Sequence, residues 1–141
     1  MEATANIPRE ATAEKSQVVT EEMTVAWHHP GMPPVFGTPM MIYLMEVTAA
    51  AAIESFLPEG WVTVGVVVNV KHLAATPVGA TVTARAKVLS VDGYLITFAV
   101  EAHDGVEKIG EGTHVRAAVE MDRFLKRVSA KPRRAADVEA G

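Results

Sequence analysis

One stretch of the chain is apolar on nearly every side of a helix: Thr38 to Leu57, TPMMIYLMEVTAAAAIESFL. Met40, Met41, Ile42, Leu44, Met45 and Val47 point in all directions around the axis. A helix of that kind is buried on most sides rather than laid on a surface. Thr38 is a favourable N-cap residue, Pro39 suits the first helical position, and Pro58 and Gly60 close the run. At 1.5 Å per residue, a helix of about 19 residues spans roughly 28 Å. Ala49 to Ala52 let another backbone come close. The pattern predicts a central helix, covered by a sheet on one side and by a partner subunit elsewhere.

Beyond the helix the period changes to two. Trp61 to Leu73, WVTVGVVVNVKHL, alternates strictly. Val62, Val64, Val66, Val68 and Val70 share one face; Thr63, Gly65, Val67, Asn69 and Lys71 share the other. Without a bulge, His72 falls on the valine face, at the strand's end against the helix. Thr76-Pro77-Val78-Gly79 reads as a turn. Ala80 to Val91 is a strand with Ala80, Val82, Ala84, Ala86 and Val88 inward. Asp92-Gly93 is a hairpin signal, Tyr94 to His103 the returning strand, and Asp104-Gly105 a further turn. In the last strand, Ile109 to Met121, Thr113, Val115, Ala117 and Val119 share a face, while His114, Arg116 and Glu120 point the other way. Spacing alone makes Arg116 a solvated residue and gives His103 and His114 no catalytic role.

Upstream of the helix, residues 1–16 read as a mobile tail and Gln17 to Trp27 as a first strand. His28 to Gly37, HHPGMPPVFG, carries three prolines and two glycines and so is irregular, a lid or a plain connector. Residues 129–141 read as a C-terminal tail, leaving 17–128 as one domain. The order is strand, loop, long buried helix, then four antiparallel strands. That is α+β in the hot-dog arrangement: one long central helix wrapped by a curved antiparallel sheet of about five strands.

Composition narrows the function. The 141 residues suffice for one cored domain, and a net charge of −4 points away from nucleic acid. The absence of cysteine removes disulfides and thiolate chemistry. Glu46 interrupts the only stretch that approaches membrane-span length, so no membrane segment is expected, and a cytoplasmic setting is. His28 and His29 are adjacent and have no third ligand at metal spacing, so no metal is expected. Glu46 itself is anomalous. An unpaired carboxylate in an apolar interior costs several kcal/mol. Either it reaches solvent at a helix edge or it is kept in a cleft for chemistry. His72 shares that environment.

Three blocks then carry a family resemblance: VFGTPMMIYLME at 35–46, GVVVNVKHLAATPVG at 65–79 and AHDGVEKIGEGTHVRA at 102–117. Over roughly residues 18–128 the chain resembles the hot-dog acyl-CoA thioesterases, and among them the fluoroacetyl-CoA thioesterases. The resemblance implies a catalytic threonine at Thr38, a catalytic acid at Glu46 and a catalytic histidine at His72. It implies that the Gly65 backbone helps hold the thioester carbonyl and that Arg116 is functional. In the lid, the family's fluoroacetyl-selective members carry two phenylalanines where this chain has His29 and Met32, with Phe36 close by. The implied substrate is therefore another small or medium acyl-CoA. No cofactor is implied. The implied assembly is a homodimer, with pairing into tetramers left open. Thr38 and Glu46 are eight residues apart, or about 12 Å along a regular helix, which favours a site completed across the dimer interface. A hot-dog hydratase or dehydratase and a non-catalytic acyl-CoA-binding protein remain as alternatives.

Overall fold

The computed structural model describes residues 2–133. Strand β1 is Thr12–Val18, followed by the short helix α1, Val25–His28, and the long helix α2, Thr38–Ile53. Strands β2, Trp61–His72, β3, Thr81–Asp92, β4, Leu95–His103, and β5, Lys108–Glu120, come next, and helix α3, Met121–Ser129, follows. The strands form one antiparallel sheet in the order β1-β3-β4-β5-β2. Helix α2 packs across its inner face, most closely on β3 and β1.

The first strand differs from expectation. It occupies 12–18 rather than 17–27, and pairs with β3 from Thr12↔Lys87 to Val18↔Thr81. The supposed tail therefore contains most of an edge strand, and before it Ala3, Thr4 and Ile7 are buried. Alternation in TAEKSQV is weak because the strand is largely exposed, so its sequence carries little of the inside–outside signal. Residues 19–27 instead hold a 3-10 turn and α1. Of the expected C-terminal tail, residues 134–141 lie outside the described residues.

The predicted helix is present but shorter, passing into a 3-10 turn at Glu54–Phe56. Its buried residues, Met41, Leu44, Met45, Thr48, Ala49, Ala52 and Ile53, form an i, i+3, i+4 stripe. The opposite side is open: Tyr43 is 60% exposed. The all-round apolar sequence is thus half covered by this chain's own sheet. Gly110 sets how closely helix and sheet approach, since a Cβ there would lie 2.5 Å from Met41 Sδ and 3.1 Å from Met45 Cε.

Strand β2 contains a bulge that the alternation could not reveal. Gly65 pairs with Arg116 and Val67 with Val115, leaving Val66 extra. The bulge shifts the phase. Gly65 faces the helix before it; Val68, Val70 and His72, opposite His114, Gly112 and Gly110, face the helix after it. The single valine face expected over 62–70 is therefore broken. His72 points inward as expected, but with Gly65 beside it on the same side.

Candidate active site

Helix α2 begins one residue earlier than expected. Gly37 is the N-cap, in extended backbone, and Thr38 and Pro39 are the first helical residues. The Thr38 hydroxyl is thereby released from capping. It lies 2.7 Å from His72 Nδ1, joining the start of the helix to the end of β2. The other ring nitrogen, Nε2, is shielded from solvent and has no hydrogen-bond partner among the described residues. Burial pushes the His72 imidazole below the usual histidine range, against a smaller upward pull from the Ala74 backbone. The ring is neutral near pH 7. When Thr38 donates to Nδ1, the ring hydrogen sits on Nε2.

Two turns along α2, Glu46 forms a second cluster. Its side chain is 33% exposed, with Oε2 3.5 Å from Arg116 Nη1 and 4.0 Å from His114 Nε2. Gly65 makes room for it: a Cβ at that position would be 2.6 Å from Oε2. Arg116 is buried rather than solvated, at 8% exposure, because β5 turns His114, Arg116 and Ala118 toward the helix. Its Nε donates to Thr63 Oγ1 at 2.9 Å and its Nη2 to the Thr63 carbonyl at 2.8 Å. Burial draws the guanidinium down from its usual value and the Glu46 charge pulls it back. The arginine compensates a carboxylate that would otherwise be costly there. A polar pair on one strand face, at i and i+2, was the available signal for His114 and Arg116. The apolar opposite face, Val115 and Ala117, pointed the other way.

Among the described residues no hydrogen bond or ion pair joins the Thr38–His72 pair to the Glu46 cluster. The expected lid residues are not gathered either. His29 and Met32 are exposed, whereas Phe36 is 1% exposed and belongs to the hydrophobic core. Phe36 anchors the loop by donating from its N–H to the Thr76 carbonyl at 2.8 Å. A groove of about 610 Å³ on the outer sheet face, between Lys71, Arg85, Lys87, Glu101 and Glu111, includes none of these groups.

The sequence profile of fluoroacetyl-CoA-specific thioesterases matches residues 19–122. The chain belongs to this family. A fluoroacetyl-CoA thioesterase from Streptantibioticus cattleyicolor is 42% identical over 99 residues, covering 70% of this chain and 71% of that protein. A solved structure of the fluoroacetyl-CoA thioesterase FlK superposes with a TM-score of 0.85 at 36% identity, covering 89% of this chain and 98% of that one. A hot-dog-like protein from Thermanaerovibrio acidaminovorans superposes with a TM-score of 0.83 at 26% identity, covering 94% of this chain and 100% of that one. Family membership makes the protein a hot-dog-fold acyl-CoA thioesterase, as the sequence resemblance implied.

Proposed function

We propose that the protein is a cytoplasmic homodimer that hydrolyses a small or medium acyl-CoA at sites shared between two subunits. The observation that carries this reading is the pairing of two incomplete clusters with an open sheet edge. Thr38 and His72 form one cluster, and Glu46, Gly65 and Arg116 form the other. Between them runs β2, an edge strand whose Val66, Val67 and Val68 are 54%, 45% and 43% exposed. Natural edge strands are commonly blunted by charge or covered, and three exposed valines invite pairing. A two-fold antiparallel pairing of β2 with its copy, centred on Asn69 and taking up the extra residue at Val66, sets Gly65 of one strand opposite His72 of the other. Both residues face the helix side, so Glu46 of one subunit would meet Thr38 and His72 of a second copy.

The chemistry then divides by position. Glu46 attacks the thioester carbonyl or takes a proton from water that does so. The Gly65 N–H supports the developing oxyanion. His72, with its hydrogen on Nε2, polarises the carbonyl or protonates the leaving thiolate. Thr38 holds the ring in that tautomer. Where the fluoroacetyl-selective relatives carry phenylalanines this chain has the exposed His29 and Met32, so its acyl group is small or medium without a requirement for fluorine. The test is free-thiol release from a panel of acyl-CoAs by wild type and Glu46→Gln. Thiol release also separates hydrolysis from hydration. Wild type should release thiol and the variant should lose at least about a hundredfold in kcat, the usual scale for a catalytic acid or base. Near-wild-type turnover by Glu46→Gln would remove Glu46 from the mechanism.

A further inference from the structure

His114 has no role by sequence spacing, yet it is 1% exposed and lies at the junction of every element of the carboxylate cluster. Its Nδ1 is 2.7 Å from the Val67 carbonyl oxygen. A carbonyl can only accept, so Nδ1 carries the hydrogen. Its Nε2 is 3.2 Å from Arg116 Nη1, which can only donate, so Nε2 presents a lone pair. Only the neutral ring with its hydrogen on Nδ1 satisfies both contacts. Burial holds the ring below the usual histidine range and the Arg116 charge adds to this, while the Val67 carbonyl and Glu46 pull upward. Phe98 stacks on the ring at 6.3 Å and fixes its plane.

Both contacts bear on Glu46. Val67 adjoins the extra residue of the β2 bulge, so the Nδ1 bond ties down the carbonyl of the segment that carries Gly65. Arg116, for its part, has Nε and Nη2 committed to Thr63, and its Nη1 is divided between His114 at 3.2 Å and Glu46 at 3.5 Å. An unconstrained guanidinium grips a carboxylate with two parallel short bonds. Here Glu46 receives one long contact, and its oxygens keep lone pairs free for a substrate or water.

We propose that His114 is a positioning residue for Glu46, pinning the bulge through Nδ1–H and drawing Arg116 aside through Nε2. This rests on the reading of Glu46 as the reacting carboxylate. The first test is a proton–nitrogen correlation spectrum of the histidine rings in the full-length protein. It should show His114 as the neutral Nδ1–H tautomer at about pH 7.5, above the ordinary histidine value. An Nε2–H tautomer or a cation at that pH overturns the proposal. The second test separates the two bonds. His114→Asn keeps a donor near the Nδ1 position and removes the acceptor for Arg116; His114→Gln does the reverse. Both should lower kcat about ten- to a hundredfold and leave KM within about threefold, the scale on which residues that orient a reacting group act. Two folded variants with kcat within twofold of wild type, alongside an inactive Glu46→Gln, overturn the positioning role and leave Glu46 in place. An active Glu46→Gln instead overturns the underlying reading. Should circular dichroism find both His114 variants unfolded, the ring tautomer decides.

Discussion

Gly65→Ala isolates the geometry of the Glu46 cluster from its stability. The backbone at residue 65 has no left-handed torsion, so alanine is accommodated without strain in the chain. The new Cβ would lie 2.6 Å from Glu46 Oε2, 3.4 Å from His114 Cε1 and 3.8 Å from Arg116 Nη1. Only the first contact is too short. Restoring an ordinary separation of 3.4 Å requires the carboxylate to retreat by about 0.8 Å, from 3.4 less 2.6. Glu46 is a flexible side chain with a third of its surface exposed, so it can move at little cost. Alanine in a strand is also favoured over glycine by roughly 0.5–1 kcal/mol. The melting temperature should therefore hold or rise. Activity should not hold: displacement of a reacting group by about 1 Å can cost on the order of a hundredfold, or about 2.7 kcal/mol. Steady-state thiol release gives kcat and KM, and differential scanning calorimetry gives the melting temperature. A kcat within twofold of wild type would refute the placement of Glu46 against Gly65 as functionally meaningful. A large drop in melting temperature would refute the claim that only a mobile side chain has to yield.

Thr38→Val removes the hydroxyl at nearly constant volume and with it one hydrogen bond worth about 0.5–1.5 kcal/mol, so melting should shift by only a few degrees while kcat falls at least tenfold. Thr38→Ser, which keeps the hydroxyl, should recover most of that activity; equal loss in both would show that the methyl group matters instead. The buried His114 and the half-buried His72 also set a pH trend. Unfolded imidazoles take up protons near pH 6.5, whereas burial holds folded His72 and His114 neutral to lower pH. Below about 6.5 the unfolded state binds more protons, so their contribution is fully present above that pH and is lost as pH falls toward the folded values. Calorimetry at pH 7.5 and 5.5 should find the lower melting temperature at 5.5, and an unchanged or higher value there would contradict the burial of these rings.

The β3–β4 hairpin and the inward set Val82, Ala84, Ala86, Val88, Ile96, Phe98 and Val100 were legible because burial there follows the alternation, whereas the helix was legible by its length and apolar run and not by which side is covered. The side of β5 that faces the helix was not. Alternation fixes a strand's period, not which face is inward, and here the inner face carries Gly110, Gly112, His114 and Arg116 while the valines lie behind it. Polar groups that satisfy one another can be buried as readily as apolar ones. The bulge was hidden for a related reason: in GVVVNV a shift by one residue replaces valine by valine. Thr38 was singled out as a cap, and the structure moves capping to Gly37, which leaves the hydroxyl for His72. The edge strand β1 stayed illegible because most of it is exposed.

The extra residue at Val66 makes the length of this segment as constrained as its composition. Gly65 and His72 are seven positions apart, an odd number, and in a regular strand they would look in opposite directions. Removing any one residue between them would turn one of the two away from the helix even if every side chain named above were kept. Substitutions along Val66–Lys71 should therefore be tolerated far better than a single deletion or insertion. Relatives that use the same pair of groups should differ in letters here and agree in count.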